Sequence, residues 1–577
     1  MINLRNRLPV AELLLCAVIV AFAFVSPAFI PYNMDEFSHY HVLGCKYNPL
    51  SDLYNSFANG CREYDLRLPG TSTFLPLRSY IYIGVAQTFP FLPFWAFFRD
   101  PIAGRIQGAA YLILATYLLS RLVEVRWRHA MFAVLLFPTF CLPFIFDTGP
   151  VGISICILLL VLLLIRKASA IDRRGPQIGS GILIGLLIFL AISIKAVFFW
   201  VVPALLLWGL WVFRPRDRSG WLAALRRRLP FLAAAALTCA APLALLLDSV
   251  DRGGRPFAAV SASGGLSLNP ISMLAQTYYL GRLVTNGTDF YLRVMSLPVF
   301  TVIDALPALI AILILAIGLS NSQQRGWRFR SYLLGLGTFT IAALIASRAT
   351  LTPFHLFLTV LCAGAILVML ALRLLYKADA DRQLAGMLFV LACLTFAIIT
   401  ANHSAWAPHH LVYAMVFVVA ALAVGIGRFK AGRSLVAILV SLSVLYWLTI
   451  AVRLPHAVIH TDTDFDKDRL AQFIRTSHLD ASTVQVHVDW GTYYISHTFG
   501  DKNQLVLTLY KFSAETTDKQ RRDIRQIHAI ASRLGRDILL ITQEPSTLRQ
   551  DPIIVDTLGR PAATYAFNTW TIARYHP

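Results

Sequence analysis

"LIGLLIFLAISIKAVFFWVVPALL", residues 183–206, is apolar on both sides of one lysine, Lys195, and belongs to an apolar run of more than 30 residues. A helix apolar on every side is a buried or membrane-spanning helix, not a surface one. Roughly 20 apolar residues cross a bilayer as a helix, so this run predicts two spans with the lysine at the break between them. With these two, working outward, the spans are expected near 10–30, 103–121, 129–146, 150–166, 177–194, 197–213, 231–248, 298–318, 331–347, 354–373, 383–400, 409–427 and 434–452. That makes about 13, the pattern of a polytopic α-helical membrane protein.

Composition agrees. The chain of 577 residues is 57% hydrophobic and 14% charged, which excludes an ordinary soluble domain. The formal net charge of +20 would suggest nucleic acid in a soluble chain. Here the basic residues gather in short loops, "RLVEVRWRH", "RKASAIDRRG", "RPRDRSGWLAALRRR", "NSQQRGWRFR", "RLLYKADADR" and "GRFKAGR". They mark the cytoplasmic side, and no nucleic-acid partner is expected. "MINLRNR" followed by "LPVAELLLCAVIVAFAFVSPAF" reads as an uncleaved first helix with a cytoplasmic N-terminus. Residues 79–98, "SYIYIGVAQTFPFLPFWAFF", are apolar enough to span, but counting them would put the later basic loops outside. Their prolines and aromatics suit an interfacial or re-entrant element.

The outer side then receives a first loop at 31–102, a long loop at 249–297, and everything after about 453. The expected division is a membrane domain at 1–452 and an α/β extracytoplasmic domain at 453–577. In the latter, "FDKDRLAQFIRTSHL" and "DKQRRDIRQIHAIASRLG" have helical periodicity, while "TVQVHV", "DILLIT" and "TYAFNTWTIA" read as strands. Cys45 and Cys61 lie in the first outer loop, and in an oxidising compartment the two can close a disulfide.

The polar residues that interrupt apolar sequence gather on that same side. In "NMDEFSHYH", Asn33 suits a helix N-cap with Glu36 at the third position and Asp35 in the first turn, which explains both acids without chemistry. The alternative is functional. Asp35 and His39, and Glu36 with His39 and Tyr40, share a helical face, and a carboxylate there can act as general base on a hydroxyl. Asp35 and His39 also suit a divalent metal, though further ligands are not evident and no resident metal or cofactor is assigned. Asp147 in "FIFDTGPVG" reads as a turn residue or a second acid. Lys195 reads as a lysine snorkelling to the interface or as an anion ligand. Arg348 and His355 in "ASRATLTPFH", and His409 and His410 in "WAPHHLVY", read as interfacial anchors or as further anion and substrate ligands. Acids and cations on one side suit a nucleophile to deprotonate and an anionic leaving group to stabilise.

In this the chain resembles the GT-C membrane glycosyltransferases, which include oligosaccharyl-, protein mannosyl- and lipid A aminoarabinose transferases. "MDEFSHYH" is similar to that family's Asp-Glu motif, "FDTGPVGISICILLL" to the segment with its second Asp, and the opening stretch to its helix pair with an intervening Lys. "DWGTYY", residues 489–494, is similar to a motif in outer domains of bacterial members. The usual Arg-Tyr near a late span is replaced by "PHHLVY". The resemblance implies inverting transfer of a sugar from a polyprenyl-phosphate donor to a glycan, glycolipid or protein acceptor, at the outer face of a bacterial inner membrane. It implies Asp35 as base, Glu36 as a ligand of acceptor or sugar, Asp147 as a residue that orients the acceptor or aids the base, and Lys195 as phosphate ligand. Arg348, His409 and His410 are added for the phosphate on chemistry, and His39, Tyr40 and His355 for substrate. An O-antigen-type polymerase or ligase and a lipid or sugar transporter are the alternatives. A transporter would more often show internal repeats, which are not apparent.

Overall fold

A computed structural model describes residues 10–28, 30, 65–67, 74–76, 84–98, 102–146, 150–171, 173–214, 221–252, 306–318, 379–402, 410, 412–429, 433–459, 462–480, 482–488, 505–508, 517–543 and 551–577. The chain parts into two compact units, Met1–Phe29 with Arg105–His460, and Ile30–Gly104 with Thr461–Pro577.

The first unit is helical. Its elements are α1 (Val10–Val25) and, after a seven-residue helix α2 (Leu92–Phe98) that belongs to the second unit, α3 (Ile102–Leu122), α4 (Trp127–Leu135), α5 (Pro138–Phe146), α6 (Pro150–Ala168) and α7 (Arg174–Ile194). Then come α8 (Val202–Val212), α9 (Trp221–Arg252), α10 (Leu306–Gly318), α11 (Ala380–Asn402), α12 (Val412–Arg428) and α13 (Arg433–Ile459). Among the described residues five stretches, 102–122, 150–168, 174–194, 380–399 and 434–452, are long and apolar enough to cross a membrane, and the α4–α5 pair, bent by 84°, makes a sixth if it is one broken span. The protein is thus a polytopic helical membrane protein. The expected single span at 129–146 is two helices because Pro138 has no N–H to continue α4 and starts α5 instead. The expected spans at 331–347 and 354–373 lie outside the described residues.

Small residues let these helices approach. Gly181 and Gly185, four apart on α7, meet the backbone of α9 at Phe231 and Ala235, where a methyl group would collide with a carbonyl. Gly108 of α3 lies equally close to the Phe144 carbonyl of α5. At the basic ends, arginines bind helix termini: Arg228 donates to the carbonyls of Ala168 (3.3 Å), Ser169 (2.8 Å) and Ile171 (2.5 Å), and Arg166 to that of Leu122. Arg428 pairs with Asp379 (2.9 Å) and Asp381 (2.8 Å). The basic loops therefore neutralise exposed carbonyls and acids at one end of the bundle.

In the second unit, residues 86–98 form a 3-10 turn, Ala86–Phe91, and α2, neither long enough to cross a bilayer alone. Strands β1 (Asp65–Arg67) and β2 (Phe74–Pro76) pair antiparallel. Toward the C-terminus, β3 (Thr483–His487), β4 (Leu505–Thr508), β5 (Asp537–Thr542), β6 (Ala563–Phe567) and β7 (Trp570–Tyr575) make one sheet in the order β4-β3-β5-β7-β6. The pairs of β3 with β4 and β5 are parallel, and those of β7 are antiparallel. Alternate strand residues point to opposite faces. Val484, Val486, Ile538 and Leu540 pack with Ile524 and Ile527 of α15 (Thr517–Leu534) and Ile554 of α16 (Pro552–Leu558). Leu539, Ile541, Trp570 and Ile572 pack with Leu470 and Ile474 of α14 (Asp462–Thr476).

Candidate functional site

Of the candidate residues, Asp35, Glu36, His39, Tyr40, Cys45, Cys61, Asp147, Arg348, His355 and His409 lie outside the described residues. Lys195 and His410 lie within them, and both are buried, at 0% and 3% exposure.

Lys195 ends α7 in an extended conformation (φ −143, ψ 114). Its N–H still donates to Ala191 at 3.0 Å, and its carbonyl accepts from Phe198 at 2.9 Å, so the backbone turns here without losing its bonds. A 3-10 segment, Ala196–Val201, follows, and Pro203 in the first turn of α8 restarts the α-helix. A lysine lying along a lipid-facing surface would be exposed in the protein alone. This one is enclosed by the bundle, an expensive place for a cation and one that marks a task.

Three chain segments meet beside it. Phe198, one turn past Lys195, stands edge-on to Tyr413 of α12 at 6.0 Å between ring centroids. The Tyr413 hydroxyl lies 2.7 Å from Ser154 Oγ of α6. Ser154 donates back to the carbonyls of Pro150 (2.7 Å) or Val151 (2.9 Å), which leaves its lone pairs for the tyrosine. So the start of α6, three residues after Asp147, the break at Lys195, and the start of α12 with His410 are tied at one end of the bundle.

Sequence reading missed Arg105, in "AGRIQG" near the start of α3. It is fully buried, at 0% exposure, its Nη1 donates to Ser26 Oγ at 2.9 Å, and its guanidinium lies 4.9 Å from the centre of the Phe146 ring. The available signal was an arginine placed just inside a predicted span. Nearby, Gln107 donates to the Tyr111 hydroxyl at 2.7 Å, and Gly152 of α6 leaves room for the rings of Tyr111 and Phe144. Among the described residues no three His, Cys, Asp or Glu side chains converge as a metal site.

No family model and no curated protein matches the chain. Among solved structures it is similar to the crystal structure of ArnT from Cupriavidus metallidurans bound to undecaprenyl phosphate, at 13% identity over 98% of both chains with a TM-score of 0.41. It is also similar to ArnT of the same organism in the apo state, at 13% identity over 98% of both chains with a TM-score of 0.43. At that overlap neither likeness bears on chemistry.

Proposed function

We propose that the chain is an inverting glycosyltransferase that moves a sugar from a polyprenyl-phosphate donor to an acceptor hydroxyl at the outer face of the membrane. The observation that carries this is the enclosed Lys195 ammonium at a helix break, tied to the starts of α6 and α12. A buried cation at the end of a bundle suits an anionic leaving group. In the reaction the acceptor oxygen attacks the anomeric carbon and its proton passes to Asp35. The bond from that carbon to the phosphate oxygen breaks, and the electron pair leaves with the phosphate. Lys195 and His410 receive that charge, with Arg348 and His409 as further ligands. Glu36, His39, Tyr40 and His355 hold acceptor and sugar, and Asp147 orients the acceptor or aids the base.

The same reading puts the protein in a bacterial inner membrane, with the N-terminus cytoplasmic and residues 453–577 a periplasmic domain. The acceptor is a glycolipid, polysaccharide or protein.

The test is sugar transfer by the reconstituted chain from a panel of polyprenyl-phosphate sugars, with native membrane extract as acceptor. Asp35→Asn is expected to fold and to lose at least about a hundredfold in rate. Lys195→Ala is expected to lose on the order of a hundredfold in kcat, with Lys195→Arg closer to wild type. A folded Asp35→Asn that matches wild type moves the base to Glu36 or Asp147. A wild type that transfers nothing, yet carries labelled lipid-linked sugar across liposomes, replaces the enzyme with a transporter.

A further inference from the structure

The arginines at the basic end of the bundle fall into two sets. Arg166, Arg228 and Arg428 are partly buried and end on carbonyls or acids. Arg173 and Arg174 at the start of α7, and Arg226 and Arg227 near the start of α9, are exposed, and no hydrogen bond or ion pair holds them among the described residues. A helix N-terminus carries partial positive charge, so a cation there is unfavourable until an anion offsets it. The first turns of α7 and α9 hold no acid. In sequence, "RKASAIDRRG" and "WLAALRRRLP" bring only Asp172 against this charge.

The fold sets the two pairs side by side. Gly181 faces Phe231 and Gly185 faces Ala235, so both helices advance together and run parallel. That register places Arg226 and Arg227 level with Pro176 and Gln177, within about one turn of Arg174. Beyond the arginines the seam is apolar. At about 100° per residue, Ile178 and Ile182 flank it on α7, and Leu237 and Ala241 flank it on the same outward side of α9. All four are exposed. Leu237 stands ten residues past Arg227, about 15 Å along the helix and half the thickness of a hydrocarbon core. A groove headed by guanidiniums and lined with aliphatic groups over that depth complements an amphipathic anion that occupies one leaflet.

We propose that the α7–α9 seam binds an anionic phospholipid, with its phosphate held by Arg173, Arg174, Arg226 and Arg227 and an acyl chain lying over Ile178, Ile182, Leu237 and Ala241. The site lies at the opposite end of the 21-residue α7 from Lys195, and it does not rest on the transferase reading.

The test titrates the full-length protein, in zwitterionic detergent micelles, with phosphatidylglycerol or with phosphatidylcholine, and reads Tm. Phosphatidylglycerol is expected to raise Tm and phosphatidylcholine to leave it unchanged. The fourfold variant Arg173→Gln, Arg174→Gln, Arg226→Gln, Arg227→Gln is expected to need at least about tenfold more phosphatidylglycerol for the same rise. Arg121→Gln with Arg126→Gln and Arg128→Gln removes three arginines that are exposed at the same end but lie outside the seam. That variant is expected to shift the requirement by less than about twofold. If the fourfold variant does not accumulate, each pair is removed by itself, and each double variant is expected to show part of the shift. Double variants that both respond like wild type would overturn the proposal. So would a wild type that phosphatidylglycerol does not stabilise, or that phosphatidylcholine stabilises equally. An equal shift in the Arg121 set would make the effect a diffuse surface field, and equal stabilisation by soluble glycerol phosphate would make the patch a site for free phosphate; either overturns the lipid site.

Discussion

Tyr413 holds the start of α12 to α6 through one hydroxyl. Tyr413→Phe keeps the ring against Phe198 and removes the bond to Ser154. The expected cost is about 1 kcal/mol, read as a small fall in Tm. If His410 acts in transfer, kcat is expected to fall more than stability does, because the first turn of α12 loses its anchor. Lys195 could be found in the sequence because one cation in an apolar run of more than 30 residues is conspicuous. Its enclosure could not, since a lysine at a span end serves lipid-facing and protein-facing positions equally well. Arg105 escaped notice for the opposite reason. It stands only a few residues inside its span, where an arginine normally reads as an interfacial anchor.

At the scale of elements, close approach by glycine makes a sharp comparison within α7. Gly185→Ala is expected to cost about 1–3 kcal/mol, because its methyl group would meet the Ala235 carbonyl of α9. Gly179→Ala meets nothing within 4 Å and is expected to be neutral or slightly stabilising. Paired thermal melts of the two variants check this, and equal effects would mean that α7 and α9 do not rely on that contact. Hydropathy alone located α3, α6, α7, α11 and α13, since each is one long apolar run. It did not show the bend of α4–α5, where Pro138 divides an otherwise continuous apolar run. "TYAFNTWTIA" was legible as strand, but it is two strands, with the turn at Asn568 and Thr569 and Asn568 at φ 48. Asparagine tolerates that left-handed conformation, so the turn signal stood inside the apolar alternation.

At the scale of the whole molecule, the sheet of the second unit contains a titratable clamp. Asp537 of β5 accepts from Arg574 of β7 at 2.6 Å and lies 2.8 Å from His576. Burial pushes its carboxyl up, but the bonds to His576 and Arg574 outweigh that and leave it below the usual carboxylate range. A carboxyl held low in the folded chain adds stability above its unfolded value, near pH 4, and loses it as pH falls through the lowered one. Exchange protection of β5 and β7 amides, corrected for intrinsic rate, is therefore expected to drop below about pH 4 in wild type and to lose that step in Asp537→Asn. The unit that carries this clamp is assembled from two distant stretches, Ile30–Gly104 and Thr461–Pro577. A ribosome making roughly 5–20 residues per second needs on the order of 20–70 s to travel from one to the other. For that time the first stretch has left the ribosome without the partner that completes its unit. A message truncated just before Thr461 would yield the membrane helices together with a first stretch, Ile30–Gly104, whose partner is never made.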